Sequence, residues 1–139
     1  MSTEEVLRWV IPLKLARGSR PGYWGDRGLS VPKSEVETWT AQVRASGINS
    51  IVCLLANDQL RLYDQLPTDL ISFYRDAGFN VEHIPAEDHQ SPPLSSDHLN
   101  KIWAAYQALP KPVLVHCSAG IDRTGMAVKY IQRRLCGES

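Results

Sequence analysis

Residues 113–125 have the sequence VLVHCSAGIDRTG, and they anchor the predictions for the rest of the chain. The apolar run from Val113 to Val115 predicts a short buried strand, and the residues after it predict a turn and a helix that begins at Thr124. A corner of this kind points successive backbone N–H groups into one concavity, and the helix N-terminus adds the positive end of its dipole. The stretch therefore predicts an anion-binding loop.

A cysteine and an arginine bracket this turn, with five residues between Cys117 and Arg123. A thiolate is the nucleophilic form of cysteine and is favoured near positive potential. An arginine can hold two phosphate oxygens in parallel, which a lysine does less well. Gly120 permits a left-handed turn, and Gly125 permits close packing of the helix. The plainer interpretation is a buried cysteine with a surface arginine nearby. A nucleotide P-loop is excluded because no Gly-Lys-Ser/Thr follows the turn.

Residues 116–125 (HCSAGIDRTG) resemble the signature loop of the cysteine-based protein tyrosine phosphatases, most closely that of the small, dual-specificity-type members. The resemblance implies that Cys117 is the nucleophile, that Arg123 clamps the phosphate and that a phosphocysteine intermediate forms. It also implies that His116 hydrogen-bonds the loop backbone and that the Thr124 hydroxyl donates to the sulfur. The substrate-binding residues that it implies are Ser118, Ala119, Gly120, Ile121, Asp122 and Arg123.

A phosphate ester also needs a general acid to protonate the departing oxygen, which is worth roughly 10²–10⁴ in rate. Residues 84–93 (IPAEDHQSPP) follow a predicted strand and resemble the acid loop of the same family. We assign the acid to Asp88, with Glu87 and His89 as the alternatives, and the same residue would then activate water as a base. A solvated acidic loop is the competing interpretation.

Strands and helices alternate along the rest of the chain, which predicts an α/β fold with a mostly parallel central sheet flanked by helices, similar to protein tyrosine phosphatases. Ligands of such sheets bind beyond the carboxyl ends of the strands, where Cys117 is expected. The predicted helix starts are a capping box of Ser34 with Glu37, Thr68, and Ser95 or Ser96, and the predicted strands lie within 6–16, 48–55 and 79–84.

We expect one phosphatase domain over residues 1–139, with a single helix after the signature loop. Relatives usually continue with further helices, so a sheet face would be covered by the N-terminal segment or by a partner chain. The latter predicts a homodimer.

Composition describes an ordinary globular protein, with 43% hydrophobic residues and 15 basic against 15 acidic residues. Zero net charge gives no support for nucleic-acid binding. No apolar run is long enough for a membrane span. Three cysteines without paired spacing indicate a reducing compartment and a cytoplasmic location. We expect no cofactor and no metal, because His83, His89 and His98 lack the spacing of zinc ligands.

The sequence of the signature loop leaves more than one substrate class open. Asp122 stands where many protein phosphatases carry glycine, and inositide-directed relatives share Asp-Arg-Thr but often place lysine at the position of Ile121. The leading prediction is a dual-specificity-type protein phosphatase acting on phosphotyrosine, with phosphoserine and phosphothreonine open. The alternatives are a phosphoinositide or inositol phosphate phosphatase, a phosphate-binding module without turnover, and a sulfurtransferase.

Three further features have more than one interpretation each. The segment 17–21 resembles an arginine-containing loop near the active-site rim of the family, or it is a solvated basic loop. Tyr23 and Trp24 either wall the pocket or pack elsewhere. By resemblance, Cys53 protects an oxidised nucleophile through a disulfide, with Cys136 and a plain core role as alternatives.

Overall fold

The computed structural model describes residues 6–23 and 29–137. Within these ranges lie ten elements. The strands are β1 (Leu7–Ile11), β2 (Leu15–Gly18), β3 (Ser50–Cys53), β4 (Asn80–His83) and β5 (Val113–His116). The α-helices are α1 (Lys33–Ala45), α2 (Leu70–Asp76), α3 (Ser96–Ala108) and α4 (Asp122–Leu135), and a 3-10 helix spans Asn57–Tyr63.

The strands form one sheet in the order β1-β2-β5-β3-β4. Strands β2, β5, β3 and β4 are parallel, and β1 pairs with β2 as an antiparallel hairpin. This confirms the predicted α/β fold with a mostly parallel sheet. Strand β5 is central, and its last residue, His116, lies opposite Gly18 of β2 and Cys53 of β3. The three strands therefore end at the same level, directly below the signature loop.

Two apolar cores cover the two faces of the sheet. Alternate residues of β5 face opposite sides, so Leu114 joins the core under α1 and α2, whereas Val113 and Val115 join the core under α3 and α4. All four residues of β5 are buried. The expectation that one sheet face is left for the N-terminal segment or a partner is therefore wrong, because α3 and α4 together cover it. The homodimer stays a prediction.

The helix starts differ from the sequence prediction at two of three caps. Ser95 caps α3 as predicted, accepting a hydrogen bond from the His98 backbone N–H at 3.1 Å. Helix α2 is capped by Asp69 rather than Thr68, and the bond from the Ser72 N–H lowers the pKa of that carboxyl. The predicted capping box at Ser34 is wrong. Helix α1 begins at Lys33 with Pro32 as its N-cap residue, since the extended conformation required at a cap is one that the proline ring favours.

No helix in residues 6–23 or 29–137 has both the length and the apolar character needed to cross a membrane.

Candidate active site

The loop between β5 and α4 forms one side of a cavity of about 530 Å³ at the carboxyl edge of the sheet. Its lining brings together Arg20, Gln59, Asp88, Cys117, Asp122 and Arg123. Helix α4 begins at Asp122, two residues before the predicted start, so Arg123 lies in the first helical turn. The side chains predicted as nucleophile, clamp and acid thus line the same cavity.

His116 holds the loop from below, through a buried hydrogen-bonded chain. Its Nδ1 lies 2.9 Å from the Cys117 carbonyl oxygen, and its Nε2 lies 2.9 Å from the Tyr74 hydroxyl. Burial lowers the pKa of His116 to about 4, so the ring is neutral at pH 7. Because a carbonyl only accepts, Nδ1 carries the proton, and the Tyr74 hydroxyl donates to Nε2. The predicted bond between His116 and the loop backbone is present.

An aromatic cluster supports this chain. The Trp39 ring stacks on Tyr74 with centroids 5.3 Å apart and meets the His116 ring edge-on at 5.4 Å. The Trp39 indole N–H donates to the Ser19 carbonyl oxygen at 3.0 Å. Helices α1 and α2 therefore brace both the signature loop and the loop after β2.

The loop after β2 packs directly against the signature loop. Gly120 has a φ of +79°, and a Cβ at this position would lie 2.4 Å from the Gly18 carbonyl oxygen. Arg17 donates from Nη2 to the Gly120 carbonyl oxygen at 2.9 Å and to that of Ile121 at 3.3 Å. The segment 17–21 is thus a neighbour of the signature loop, and the interpretation as a solvated loop is wrong.

Arg20 adds a buried positive charge to the cavity wall. Its side chain is 3% exposed, and its Nε donates to the Ser118 hydroxyl at 3.1 Å. Its Nη1 donates to the Tyr63 hydroxyl at 3.1 Å. Burial raises the pKa of Tyr63 to about 12, so the hydroxyl is neutral and donates to the Pro21 carbonyl oxygen. Within residues 6–23 and 29–137, no carboxylate pairs with Arg20.

Arg123 is anchored on both sides. Nη1 donates to the Ala86 carbonyl oxygen at 2.7 Å, to the Gln59 Oε1 at 2.9 Å and to the Leu54 carbonyl oxygen at 3.3 Å. Nη2 lies 3.3 Å from the Asp88 Oδ2. The guanidinium is only 2% exposed, so these contacts fix its plane.

Asp88 is the only one of the three acid candidates in contact with Arg123. Its carboxylate also accepts a 3.3 Å bond from the Gln59 amide and a 3.0 Å bond from the His89 backbone N–H. His89 has a φ of 59°, a strained value for a non-glycine residue. The His89 side chain is 91% exposed, and Glu87 is exposed as well.

Thr124 departs from the expected contact. Its hydroxyl is buried and has no hydrogen-bond partner among the described residues, so the predicted bond to the Cys117 sulfur is not made. Because α4 starts at Asp122, Thr124 lies inside the first turn rather than at the start of the helix. A buried hydroxyl without a partner lowers the stability of the state in which it is unpaired, and a state in which it gains a partner avoids this cost.

The other loop residues have separate positions. Ser118, Ala119, Ile121 and Asp122 line the cavity with Cys117, and Gly120 lies behind it against the loop after β2. Asp122 is exposed and forms no ion pair with any residue that the structure describes. Ile121 is 60% exposed at the rim.

Tyr23 also lines the cavity, whereas Trp24 lies outside the described residues. Cys53 is buried beside His116, and burial raises the pKa of its thiol to about 12. Cys53, Cys117 and Cys136 are free thiols, so a protective disulfide stays a prediction. In the described ranges, no group of three or more His, Cys, Asp or Glu residues is arranged to hold a metal ion.

Sequence reasoning missed four residues that shape the site: Gln59, Tyr63, Tyr74 and Trp39. Gln59 lies in the unpredicted 3-10 helix, where the only available signal was a polar segment directly after a strand end.

Comparison with known proteins identifies the family of this chain. The model of a family described as "Tc-R-P: Polymorphic toxin system, DSP-PTPase phosphatase" matches residues 28–133. No curated protein matches the chain.

Three solved structures illustrate the similarity of fold. Tk-PTP in its active form is 19% identical, with a TM-score of 0.63, over 96% of this chain and 76% of that chain. Kinase associated phosphatase, with its catalytic cysteine replaced by serine, is 17% identical, with a TM-score of 0.65, over 87% and 65%. The core catalytic domain of the PP-IP phosphatase SIW14 from S. cerevisiae is 19% identical, with a TM-score of 0.60, over 97% and 68%.

The family match covers residues 28–133, which is more than half of the chain. The chain therefore belongs to the DSP-PTPase phosphatase family of polymorphic toxin systems, and it is a phosphatase of the cysteine-based protein tyrosine phosphatase superfamily, of the small dual-specificity type.

Proposed function

We propose that this phosphatase hydrolyses phosphomonoesters in two steps through a phosphocysteine on Cys117. The observation that carries the proposal is the meeting of three side chains from two separate loops in one cavity. Cys117 and Arg123 come from the signature loop, and Asp88 reaches them from the loop after β4, with its Oδ2 3.3 Å from the Arg123 Nη2.

In the first step the phosphate group is held by Arg123 and by the backbone N–H groups of the loop. The Cys117 thiolate attacks phosphorus, an S–P bond forms, and the P–O bond to the leaving group breaks. Asp88, in its protonated form, gives its proton to the departing oxygen. Proton donation of this kind contributes roughly 10²–10⁴ in rate.

In the second step water replaces the sulfur. The Asp88 carboxylate takes a proton from water, the water oxygen bonds to phosphorus, and the S–P bond breaks to return the Cys117 thiolate and inorganic phosphate. The buried Thr124 hydroxyl, which has no partner, is available to donate to the departing sulfur. This would give it the partner that it lacks in the free protein.

His116 has a positioning role in this scheme. Its ring is neutral and completely buried, and it is bonded to the Cys117 carbonyl oxygen rather than to the sulfur. Its pKa of about 4 and its burial support no role for His116 as the general acid.

We propose phosphorylated protein as the substrate, with phosphotyrosine first and phosphoserine and phosphothreonine as further substrates. The rim of the cavity supports this, because Ile121, Leu62 and Tyr23 offer apolar contacts to a peptide. The exposed carboxylate of Asp122 would repel a substrate with several phosphates.

A phosphoinositide or inositol phosphate is the second candidate substrate. The buried charge of Arg20, which has no carboxylate partner in the described residues, favours a ligand with additional negative charge. The similarity to the PP-IP phosphatase SIW14 also favours it. Asp122 opposes it.

The test is phosphate release from phosphotyrosine, phosphoserine and phosphothreonine peptides, phosphoinositides and inositol phosphates, in the presence of a metal chelator. Wild type is compared with Cys117→Ser and with Cys136→Ser, a control at the exposed end of α4. We expect release to vanish in Cys117→Ser alone. Release that survives this change contradicts the mechanism, and the ranking of substrates decides between the two classes. Tight binding of phosphopeptide without release from any substrate would favour a binding module.

A further inference from the structure

We propose that Gln59 is a positioning residue that couples the phosphate clamp to the general acid. The inference rests on the proposed function, since it assumes those roles for Arg123 and Asp88. Gln59 lies in the 3-10 helix that follows β3, away from both the signature loop and the acid loop in the sequence.

The contacts form a closed ring. The Gln59 Oε1 accepts from the Arg123 Nη1 at 2.9 Å, and the Gln59 Nε2 donates to the Asp88 Oδ2 at 3.3 Å. The Asp88 Oδ2 in turn lies 3.3 Å from the Arg123 Nη2. One side-chain amide therefore touches the cation and the carboxylate at the same time.

The orientation of this amide is fixed by its neighbours. Its Oε1 also accepts from the Ala56 backbone N–H at 3.0 Å, so a flipped amide would set its NH₂ group against two donors. The Ala56 bond ties the amide to the end of β3, and Arg123 is tied to the same region through the Leu54 carbonyl oxygen. The amide is thus held from three directions.

An amide can do here what a carboxylate cannot. A glutamate at this position would still accept from Arg123, but it would have no N–H for Asp88 and would repel its charge. The neutral amide also leaves the Arg123 charge available for phosphate.

The ring has a consequence when substrate enters. In the free protein the Asp88 carboxylate lies against the Arg123 Nη2, which is also a donor for a phosphate oxygen, because Nη1 is committed to three other acceptors. When Nη2 donates to the phosphate, Asp88 loses part of its attachment. The Gln59 amide then keeps Asp88 beside the cavity, near the leaving group.

Two variants separate the hydrogen bond between Gln59 and Asp88 from the one between Gln59 and Arg123, and a third variant serves as control. Gln59→Glu keeps the acceptor for Arg123 and removes the donor to Asp88. Gln59→Met removes both at similar size. Gln42→Glu makes the same chemical change on the exposed side of α1. Gln59 is only half-buried, and thermal unfolding followed by circular dichroism checks that each variant is folded.

The readout is phosphate release from two esters that differ in their need for an acid. Phenyl phosphate has a poor leaving group, and 2,4-dinitrophenyl phosphate has a good one. We expect Gln59→Glu to lower kcat on phenyl phosphate by about tenfold or more, since small misplacements of a catalytic group cost up to about 10². On the dinitrophenyl ester the loss should stay within about twofold. Gln59→Met should in addition weaken competitive inhibition by inorganic phosphate, and Gln42→Glu should match wild type.

An equal loss on both esters, or no loss on either, overturns the role of Gln59 while leaving the proposed function intact. Release that persists in Cys117→Ser overturns the proposed mechanism instead. No release by wild type from either ester overturns both. These outcomes are distinguishable within one set of assays.

Discussion

The signature loop and the acid loop contribute to the same cavity, but they are held in different ways. In the signature loop, Cys117 and Arg123 are each 2% exposed and His116 is completely buried. In the acid loop, the Asp88 side chain is 31% exposed and that of His89 is 91% exposed. The first loop is held by hydrogen bonds from Arg17 of β2 and from His116, whose ring is bonded to Tyr74 of α2. The second loop is tied to the site by the buried bond from Arg123 to the Ala86 carbonyl oxygen, but its acid candidate Asp88 is held by an ion pair and by partly exposed bonds.

Because of this difference, substitutions in the two loops are expected to affect stability and activity differently. Buried polar contacts lie in a medium of low dielectric constant, so losing one partner is costly to the fold. Exposed contacts contribute little to the fold, because water competes for them. We therefore expect changes in the signature loop to affect both folding and turnover, and changes in the acid loop to affect turnover alone.

The largest effect is expected from Arg123→Lys. A lysine cannot reproduce the planar fork that contacts three acceptors through Nη1 and Asp88 through Nη2. We expect kcat/KM for a phosphotyrosine peptide to fall by roughly 10³-fold, in line with the loss of a transition-state donor. Arg133→Lys, on the exposed last turn of α4, is the control. A loss below tenfold would contradict the role of Arg123 as clamp.

The next effect is on stability as a function of pH. Folding lowers the pKa of His116 from 6.5 to about 4, so the unfolded chain binds more protons between these values. The contribution of the neutral, buried His116 to the free energy of unfolding is fully present above pH 6.5. It is lost as the pH falls towards 4, and the loss amounts to about 3 kcal/mol. Urea unfolding at a series of pH values measures this loss. His116→Gln should have a lower stability at pH 7 and a flatter profile, and an unchanged slope would refute the assignment.

A smaller loss, confined to activity, is expected from Asp88→Asn. Removing the acid should lower kcat on phosphotyrosine by about 10²-fold, while the free energy of unfolding changes by less than about 1 kcal/mol, as for a partly exposed ion pair. Glu87→Gln, on the neighbouring exposed residue, is the matched control for assays and urea unfolding. If Glu87→Gln were the more damaging change, the acid would have to be reassigned.

The smallest of these effects is expected from Gly120→Ala. The added Cβ would lie 2.4 Å from the Gly18 carbonyl oxygen, so the two loops must separate. Overpacking of this kind costs about 2 kcal/mol. Gly47→Ala is the control, since Gly47 also has a positive φ, of +92°, but no neighbouring atom within 4 Å of the added Cβ. Equal losses in the two variants would show that backbone conformation, and not the contact between loops, sets the cost.

The two regions also differ in how far the sequence predicts them. The signature loop depends on contiguous residues, so the positions of Cys117, Gly120 and Arg123 follow from spacing and from the conformational freedom of glycine. The acid loop could be placed after a strand, but only tertiary contacts distinguish Asp88 from Glu87 and His89. The choice of Asp88 agrees with the contact to Arg123.

What the sequence could not predict involves partners far apart in the chain. The Tyr74 hydroxyl meets His116 across 42 positions, and Gln59 meets Arg123 across 64. No local periodicity encodes such pairs. The cap of α1 at Pro32 instead of Ser34 is an error of another kind, because a proline cap and a serine capping box are both plausible and only the packing of the helix decides between them.

Arg20 has no carboxylate partner among the described residues, and for this reason we expect the stability of the protein to depend on the buffer. An oxyanion such as phosphate or sulfate that enters the cavity gains a buried guanidinium with no carboxylate partner in the described residues, and the unfolded chain offers no such site. Mass action then stabilises the folded state by about 2.7 kcal/mol when the anion is present at 100 times its dissociation constant. The protein should melt at a higher temperature in phosphate than in a buffer without oxyanions at equal ionic strength, and Arg20→Met should reduce this difference.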